Sequence, residues 1–317
     1  VIKTAAVLFG IVCALGAAHA QEFPAKPVRL VVPFPAGGSG DITGRVVAQK
    51  LSERWGQPVL VENRPGGNTI VATEFVGRSA PDGYTLLVGL DASFTMLASA
   101  YSKLPYKPSE FVPVTTLIEQ PLLISAGPKR PEVRTFADFL NEARAAPGQL
   151  NVGYAALVTQ VMAEVVKSTG NIQFTLIPYQ GSAPALNALL GSQVDLSMSD
   201  IGAFAGAVRE GRVRGLAVTG PKRSPALPDV PTVLESGLNV NVVSWFGLMA
   251  PPGTPAPIAE KLSTDTRAVL QLPDVRERLI AVGLEAAPMA QADFAARIRA
   301  EAERWDKVIR GANIRLD

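Results

Sequence analysis

Two long extended segments interrupt an otherwise regular alternation of strands and helices, and they restrict the chain to a two-lobed α/β architecture. The alternation begins with Val28-Arg29-Leu30-Val31-Val32-Pro33-Phe34, a short apolar run that reads as a buried strand. It ends in Pro35-Ala36-Gly37-Gly38-Ser39-Gly40-Asp41. Asp41 is expected to cap a helix in which Val47, Leu51 and Trp55 recur at i, i+4 and which Gly56 stops. Residues 58–61 and 84–89 read as further strands, and strand, helix, strand at this pitch argues for parallel βαβ units. The pattern then changes. Residues 111–118 and 122–125 are extended pieces separated by Glu119-Gln120-Pro121, and together they read as one crossing between lobes. A second α/β set starts at Thr135, the expected N-cap of a helix running through Ala145 that Pro147-Gly148 ends. Strands are expected near 150–153, 174–178, 194–198 and 216–219, with Ser182 capping a helix that Gly191 terminates. Residues 242–249 read as the return crossing. Thr254-Pro255 opens a helix with Pro at its first position, and Phe294, Ile298, Trp305 and Ile309 mark an amphipathic C-terminal helix. Two crossings make two lobes joined by a double hinge, with a ligand cleft between them at the carboxyl ends of the strands.

Composition removes whole classes of chemistry. The only histidine, His19, and the only cysteine, Cys13, fall in a segment that reads as an export signal. Lys3 gives it a positive start, residues 5–18 are small and apolar, and Ala18-His19-Ala20 is an A-x-A cleavage pattern, so the mature chain is expected to begin at Gln21. Without imidazole or thiol, a His-dependent triad, a Cys nucleophile, a zinc finger and a disulfide scaffold are excluded. Removing Lys3 from the net charge of +2 leaves about +1, with no polybasic run, so nucleic acid is not an expected partner. Past the signal region no apolar run approaches the length needed to span a bilayer. The expected product is a soluble monomer acting in the periplasm. Its expected segments are 1–20 signal, 21–119 first lobe, 120–242 second lobe and 243–317 a return to the first lobe.

The loop 35–41 is the strongest local signal. Its glycines allow a close backbone approach, and the helix that follows presents unpaired N–H groups and a partial positive charge. Such a site holds a carboxylate or phosphate without a lysine or arginine, and a tight turn that merely caps a helix is the alternative. It is not a Walker loop, because no Gly-Lys-Ser/Thr follows. A dinucleotide fingerprint is a rival, since Gly38-x-Gly40-x-x-x-Gly44 follows a strand and Glu62 ends the next. Its spacing is off by one, however, and Pro33 and Pro35 interrupt the strand end. Hydrolase readings fail for want of a base beside any serine. Acids such as Asp274 and Glu277 fall on exposed helix turns, where solvated roles are the rule.

Taken together, these stretches resemble the Bug family, the extracytoplasmic solute-binding receptors of tripartite tricarboxylate transporters. The landmarks are Lys26-Pro27-Val28-Arg29-Leu30-Val31-Val32-Pro33-Phe34-Pro35-Ala36-Gly37-Gly38, Val61-Glu62-Asn63-Arg64-Pro65-Gly66 and Ala80-Pro81-Asp82-Gly83-Tyr84-Thr85-Leu86-Leu87. Pro178-Tyr179-Gln180-Gly181-Ser182-Ala183-Pro184-Ala185-Leu186, Leu216-Ala217-Val218-Thr219-Gly220, Leu227-Pro228-Asp229-Val230-Pro231-Thr232 and Trp245-Phe246-Gly247 follow in order. The resemblance implies a type II periplasmic binding fold that closes on its ligand, a small organic carboxylate, and a membrane permease pair as partner. It implies no enzyme activity and no cofactor or metal. It also implies a first-lobe ligand set of Pro35, Ala36, Gly37, Gly38 and Asp41, with Asn68, Asp91, Ala92 and Ser93. The second-lobe set is the 154–159 stretch, with Tyr154 and Thr159, then Gln180, Gly181 and Asp200.

Some positions depart from the family pattern. The stretch Tyr154-Ala155-Ala156-Leu157-Val158-Thr159 is short and lacks glycine, so a backbone anion nest is not expected there. Asp91 and Asp200 stand where small hydroxyl or amide residues are usual. If they face the cleft, its far end is acidic and favours a monocarboxylate carrying an amino, amide or ring N–H group over a citrate-like triacid. The alternative makes both aspartates helix caps turned away from the cleft. Two other functions stay open at this stage: a sensory module presenting its ligand to a membrane kinase, and an enzyme working through carboxylates and water.

Overall fold

The computed structural model describes residues 23–311 and 314–316, so the expected signal segment and cleavage site lie outside the described residues. Val28, Leu30, Val31 and Val32 of β1 (Val28–Val32) are fully buried, as a parallel strand covered on both faces requires. The strand stops at Pro33, which has no N–H to continue the ladder. It feeds α1 (Ser39–Trp55), then β2 (Val59–Asn63), α2 (Ile70–Gly77) and β3 (Thr85–Leu90). Both β2 and β3 pair β1 in parallel. Two short helices follow, α3 (Asp91–Thr95) and α4 (Leu97–Ala100). The first crossing is one continuous strand, β4 (Val112–Ala126).

The second lobe runs through α5 (Phe136–Ala145), β5 (Asn151–Tyr154), α6 (Leu157–Gly170), β6 (Thr175–Pro178) and α7 (Ser182–Leu190). It continues with β7 (Leu196–Asp200), α8 (Ile201–Arg209) and β8 (Arg214–Val218). The return crossing is β9 (Val243–Ala250), followed by α9 (Ala256–Leu270), α10 (Pro273–Ile280), β10 (Glu285–Ala286) and α11 (Gln291–Gly311).

The two crossings carry the architecture. β4 pairs β9 in antiparallel fashion from Val112 to Pro121, and β9 in turn pairs β3. From Leu122 to Ala126, β4 exchanges that partner for β7 on one side and β8 on the other. β5 lies parallel to β7 and β6, completing the second sheet. Each sheet therefore joins parallel βαβ units to antiparallel crossing strands, in an α/β fold of two lobes linked twice.

Three helix starts differ from the sequence expectation. Thr135 does cap α5, in a reciprocal box with Asp138. Asp41, by contrast, is not an N-cap. Gly38 takes that place in extended backbone, and Asp41 sits in the first turn with its carboxylate turned back to the loop. Ser182 is likewise the first residue of α7, behind Gly181, because its hydroxyl is drawn to a distant carboxylate. Pro255 precedes rather than opens α9.

The C-terminal helix α11 returns to the first lobe and buries Phe294, Trp305 and Ile309. The Phe294 ring meets Trp245 edge-on at 5.1 Å between centroids and lies against Gly247, where any side chain would collide with it. Trp245 Nε1 donates to Glu301 of the same helix at 2.7 Å. This docking predicts that Phe294→Ala costs about 3–5 kcal/mol, the range for a fully buried aromatic, read as a lower urea midpoint at unchanged slope.

Candidate functional site

The ends of β1, β3 and β7 and the starts of α1, α6 and α7 converge on one cavity between the lobes, floored by the crossing strands. The first lobe contributes Phe34, Pro35, Gly38, Ser39, Gly40 and Leu90, and the second contributes Leu122, Ala155, Ala156, Val158, Thr159, Gly181, Ser182, Ala183 and Asp200. Gln120 of β4 and Ser244 and Phe246 of β9 complete the lining, and Gln120 and Ser244 are direct register partners.

Close backbone approach explains the glycines. A Cβ on Gly40 would stand 2.8 Å from the Phe246 ring, which itself packs edge-on against Phe34 at 6.0 Å. Gly181, at φ 116°, lies beneath Phe34 and Pro35 of the opposite lobe, and Gly202 of α8 lies against the Ser39 hydroxyl. These contacts draw the lobes together over the cavity. Polar contacts do the same. Ser39 Oγ donates to Asp200 Oδ1, and Ser182 Oγ donates to Asp200 Oδ2. Asp200 thus ties the start of α1 in one lobe to the start of α7 in the other.

The α1 terminus has no side-chain cap, and Gly38, Ser39 and Gly40 face the cavity. Asp41 braces this loop from behind. It accepts Gly37 N–H at 3.0 Å, Arg45 Nε at 3.0 Å and Asn63 Nδ2 at 2.9 Å. Burial alone would raise its pKa, but these hydrogen bonds and the Arg45 charge outweigh burial and hold it below the usual carboxylate value. Asn63 also donates to Phe34 carbonyl oxygen, fixing the end of β1.

The second lobe is arranged differently. Thr159 Oγ1 accepts both Ala155 N–H and Ala156 N–H at 3.0 Å, so the amides of that turn are already satisfied. Among the described residues no Lys, Arg or His lines the cavity, and Asp200 is its one charged side chain. Gln120 Oε1 is buried without a hydrogen-bond partner among the described residues.

Of the residues named from sequence, Pro35, Gly38, Thr159, Gly181 and Asp200 line this cavity. Ala36, Gly37 and Gln180 are exposed beside it. Asp41 stands behind the loop. Asn68 donates to the Tyr101 hydroxyl at 3.0 Å, and Ser93 shares a hydrogen bond with Thr69 at 2.7 Å, so both are turned to first-lobe partners. Tyr154 is half-buried, its hydroxyl pKa raised by desolvation and by nearby Tyr101. Ala92 and Asp91 are sealed in the first lobe. The sequence reading did not single out Ser39, Gln120, Ser244 or Phe246. Polar Gln120 and Ser244 inside apolar crossing strands were the available signal.

Glu62, the candidate ribose-binding acid, ion-pairs with Arg29 and Arg64 instead. Among the described residues no cluster of His, Cys, Asp or Glu could hold a metal ion, and no helix is long and apolar enough to cross a membrane.

The profile of the tripartite tricarboxylate transporter family receptors matches residues 43–314. The chain belongs to this family. Protein BugT of Bordetella pertussis (strain Tohama I) is 35% identical over 306 residues, covering 94% of this chain and 92% of BugT. Among solved structures, R. palustris Rpa4515 with adipate superposes with a TM-score of 0.89 at 33% identity, covering 92% of this chain and 99% of that one. MatC (Rpa3494) from Rhodopseudomonas palustris with bound malate gives a TM-score of 0.84 at 34% identity, covering 90% and 100%. The chain thus has the two-lobed periplasmic binding fold, and as a receptor of this family it is a solute-binding protein.

Asp91 of this receptor faces Ala92 N–H at 2.6 Å and the Trp245 N–H, with Glu301 of α11 nearby. The Ser244 hydroxyl approaches it without reaching hydrogen-bond geometry. Complete burial, and then the Glu301 charge, push its pKa from 3.8 up to about 7. Between those values the folded protein keeps a proton that the unfolded chain has lost. Stability from this group is therefore full below pH 3.8 and declines as pH rises toward about 7, by up to about 1.4 kcal/mol per pH unit. Asp91→Asn is expected to remove that slope. Urea unfolding of both proteins from pH 4.5 to 8 checks it, with the variant gaining on the parent as pH rises.

Proposed function

We propose that this receptor captures a small organic carboxylate in the periplasm by closing its lobes, and delivers it to the membrane permease of a tripartite tricarboxylate-type transporter without altering it chemically. The observation that carries this reading is the uncapped start of α1, whose Gly38, Ser39 and Gly40 face an inter-lobe cavity that no cationic side chain among the described residues lines. Peptide dipoles aimed into such a cavity favour an anion and release it more readily than a buried guanidinium would. The adipate and malate named with the two R. palustris proteins are small carboxylates of the class this arrangement suits.

In this reading the ligand carboxylate rests on the turn 38–40, and Gly181 and Ser182 close over the cleft from the other lobe. Contacts made only in the closed form shift the hinge equilibrium, and the permease distinguishes the closed shape from the open one. The hinge falls where β4 exchanges partners and where β9 pairs Gln120 and Pro121, so the segments 21–119 and 243–317 form one lobe and 120–242 the other. The protein works as a monomer, exported with cleavage after Ala20.

Calorimetric titration with a panel of mono-, di- and tricarboxylates tests this. At least one is expected to bind with a dissociation constant of about micromolar or better. It is expected to be recovered unchanged and to reduce the radius of gyration in solution scattering. Asp41→Ala frees the Gly37 amide and loosens the turn, and is expected to weaken that binding about 5–30-fold, as the loss of about 1–2 kcal/mol of hydrogen bonding to a charged group implies. Absence of binding by every carboxylate, or turnover of one, would overturn the proposal.

A further inference from the structure

We propose that Asp200 makes the cleft selective for a monocarboxylate bearing an ammonium group, and poor for one bearing a second carboxylate at that end. This rests on the carboxylate-receptor reading and narrows its ligand class. The two walls of the cavity have opposite hydrogen-bonding character. The first lobe offers donors, the open amides at the start of α1. The second lobe offers acceptors. Thr159 Oγ1 takes the Ala155 and Ala156 amides, and Asp200 stands beside the start of α7, where it accepts the Ser182 hydroxyl.

Asp200 faces the cavity as its one charged side chain among the described residues. Each of its oxygens accepts one serine hydroxyl and retains capacity for a further donor. An independent observation points the same way. Gln120 Oε1 on the cavity floor is buried and has no partner among the described residues, although a buried acceptor in a folded protein is nearly always satisfied. A ligand ammonium has three donors and can serve both Asp200 and Gln120. A second ligand carboxylate would instead meet the Asp200 carboxylate, with no cation among the described lining residues to separate them.

The test is calorimetric titration of the full chain and of Asp200→Asn with four- to six-carbon α,ω-dicarboxylates, the ω-amino acids of the same carbon count, and the matching 2-amino monocarboxylates. The parent is expected to bind its best amino member at least about tenfold more tightly than any dicarboxylate, the discrimination that a like-charge clash readily supplies. Asp200→Asn keeps an acceptor for one of the two serine hydroxyls and offers its amide N–H to the other, whose oxygen can accept it. It is expected to lose that preference and gain affinity for dicarboxylates. Gln120→Leu is expected to weaken the amino ligands without strengthening the dicarboxylates, and circular dichroism melts establish that each variant is folded. Equal or tighter dicarboxylate binding by the parent, or an unchanged preference in Asp200→Asn, would overturn the assignment while leaving the carboxylate-receptor reading intact. No binding of any probe by any of the proteins would overturn both.

Discussion

Everything about the cleft depends on the antiparallel pairing of the two crossing strands. β4 and β9 run together from Val112 to Pro121, and then β4 alone continues into the second sheet. Pro121 stands at the exchange of partners, where its missing N–H leaves no ladder donor unsatisfied. The register at this point sets Gln120 opposite Ser244, and Leu122 opposite Asp200. A slip of one residue would turn every crossing side chain to the other face. The floor of the cavity and its acidic wall are thus positioned by the same few backbone hydrogen bonds that join the lobes.

On that frame the parallel strands of both lobes deliver helix starts to one place. The chemistry available there comes from amides and hydroxyls, with one carboxylate. A lysine or arginine in the same position would bind an anion more strongly, but it would need to be desolvated and paired in the empty protein. Uncapped amides carry a smaller desolvation cost and can be braced from outside the cavity. Asp41 does this here: it holds Gly37, Arg45 and Asn63 together, and Asn63 holds the end of β1. The acid that sequence analysis placed at the tip of the helix therefore acts on the geometry of the loop from behind.

The alternation of strands and helices was legible because apolar runs of strand length and glycine–proline punctuation are local signals. β4 and β9 were legible for the same reason, and Glu119-Gln120-Pro121 marked the break between the two extended pieces of the first crossing. Helix starts were less legible. Ser, Thr and Asp favour several positions in a first turn, and local sequence does not say which partner each side chain finds. Thr135 found its own helix, whereas Ser182 found Asp200, 18 residues away. The bond between Ser39 and Asp200 spans 161 residues, and no periodicity encodes it. Asn68 and Ser93 follow strands of the first lobe, as site residues should, yet their partners Tyr101 and Thr69 belong to the same lobe and turn them away from the cavity.

Asp91 and Asp200 show what decides between such outcomes. Each stands at a junction between a strand and a helix, the first after β3 and the second at the end of β7. Beyond Asp91, β9 covers the edge of β3, pairing Leu90 with Phe246, and α11 packs over α3. The carboxyl is closed in with Glu301 nearby and gains a proton near neutrality. At the end of β7 the sheet instead opens onto the other lobe, and Asp200 finds two serine hydroxyls there. A carboxylate given donors from both lobes can hold a closed form together. One sealed behind a strand and a helix serves only its own lobe. The same residue type at equivalent points of two βα units thus takes different parts because the return crossing and C-terminal helix seal only the first.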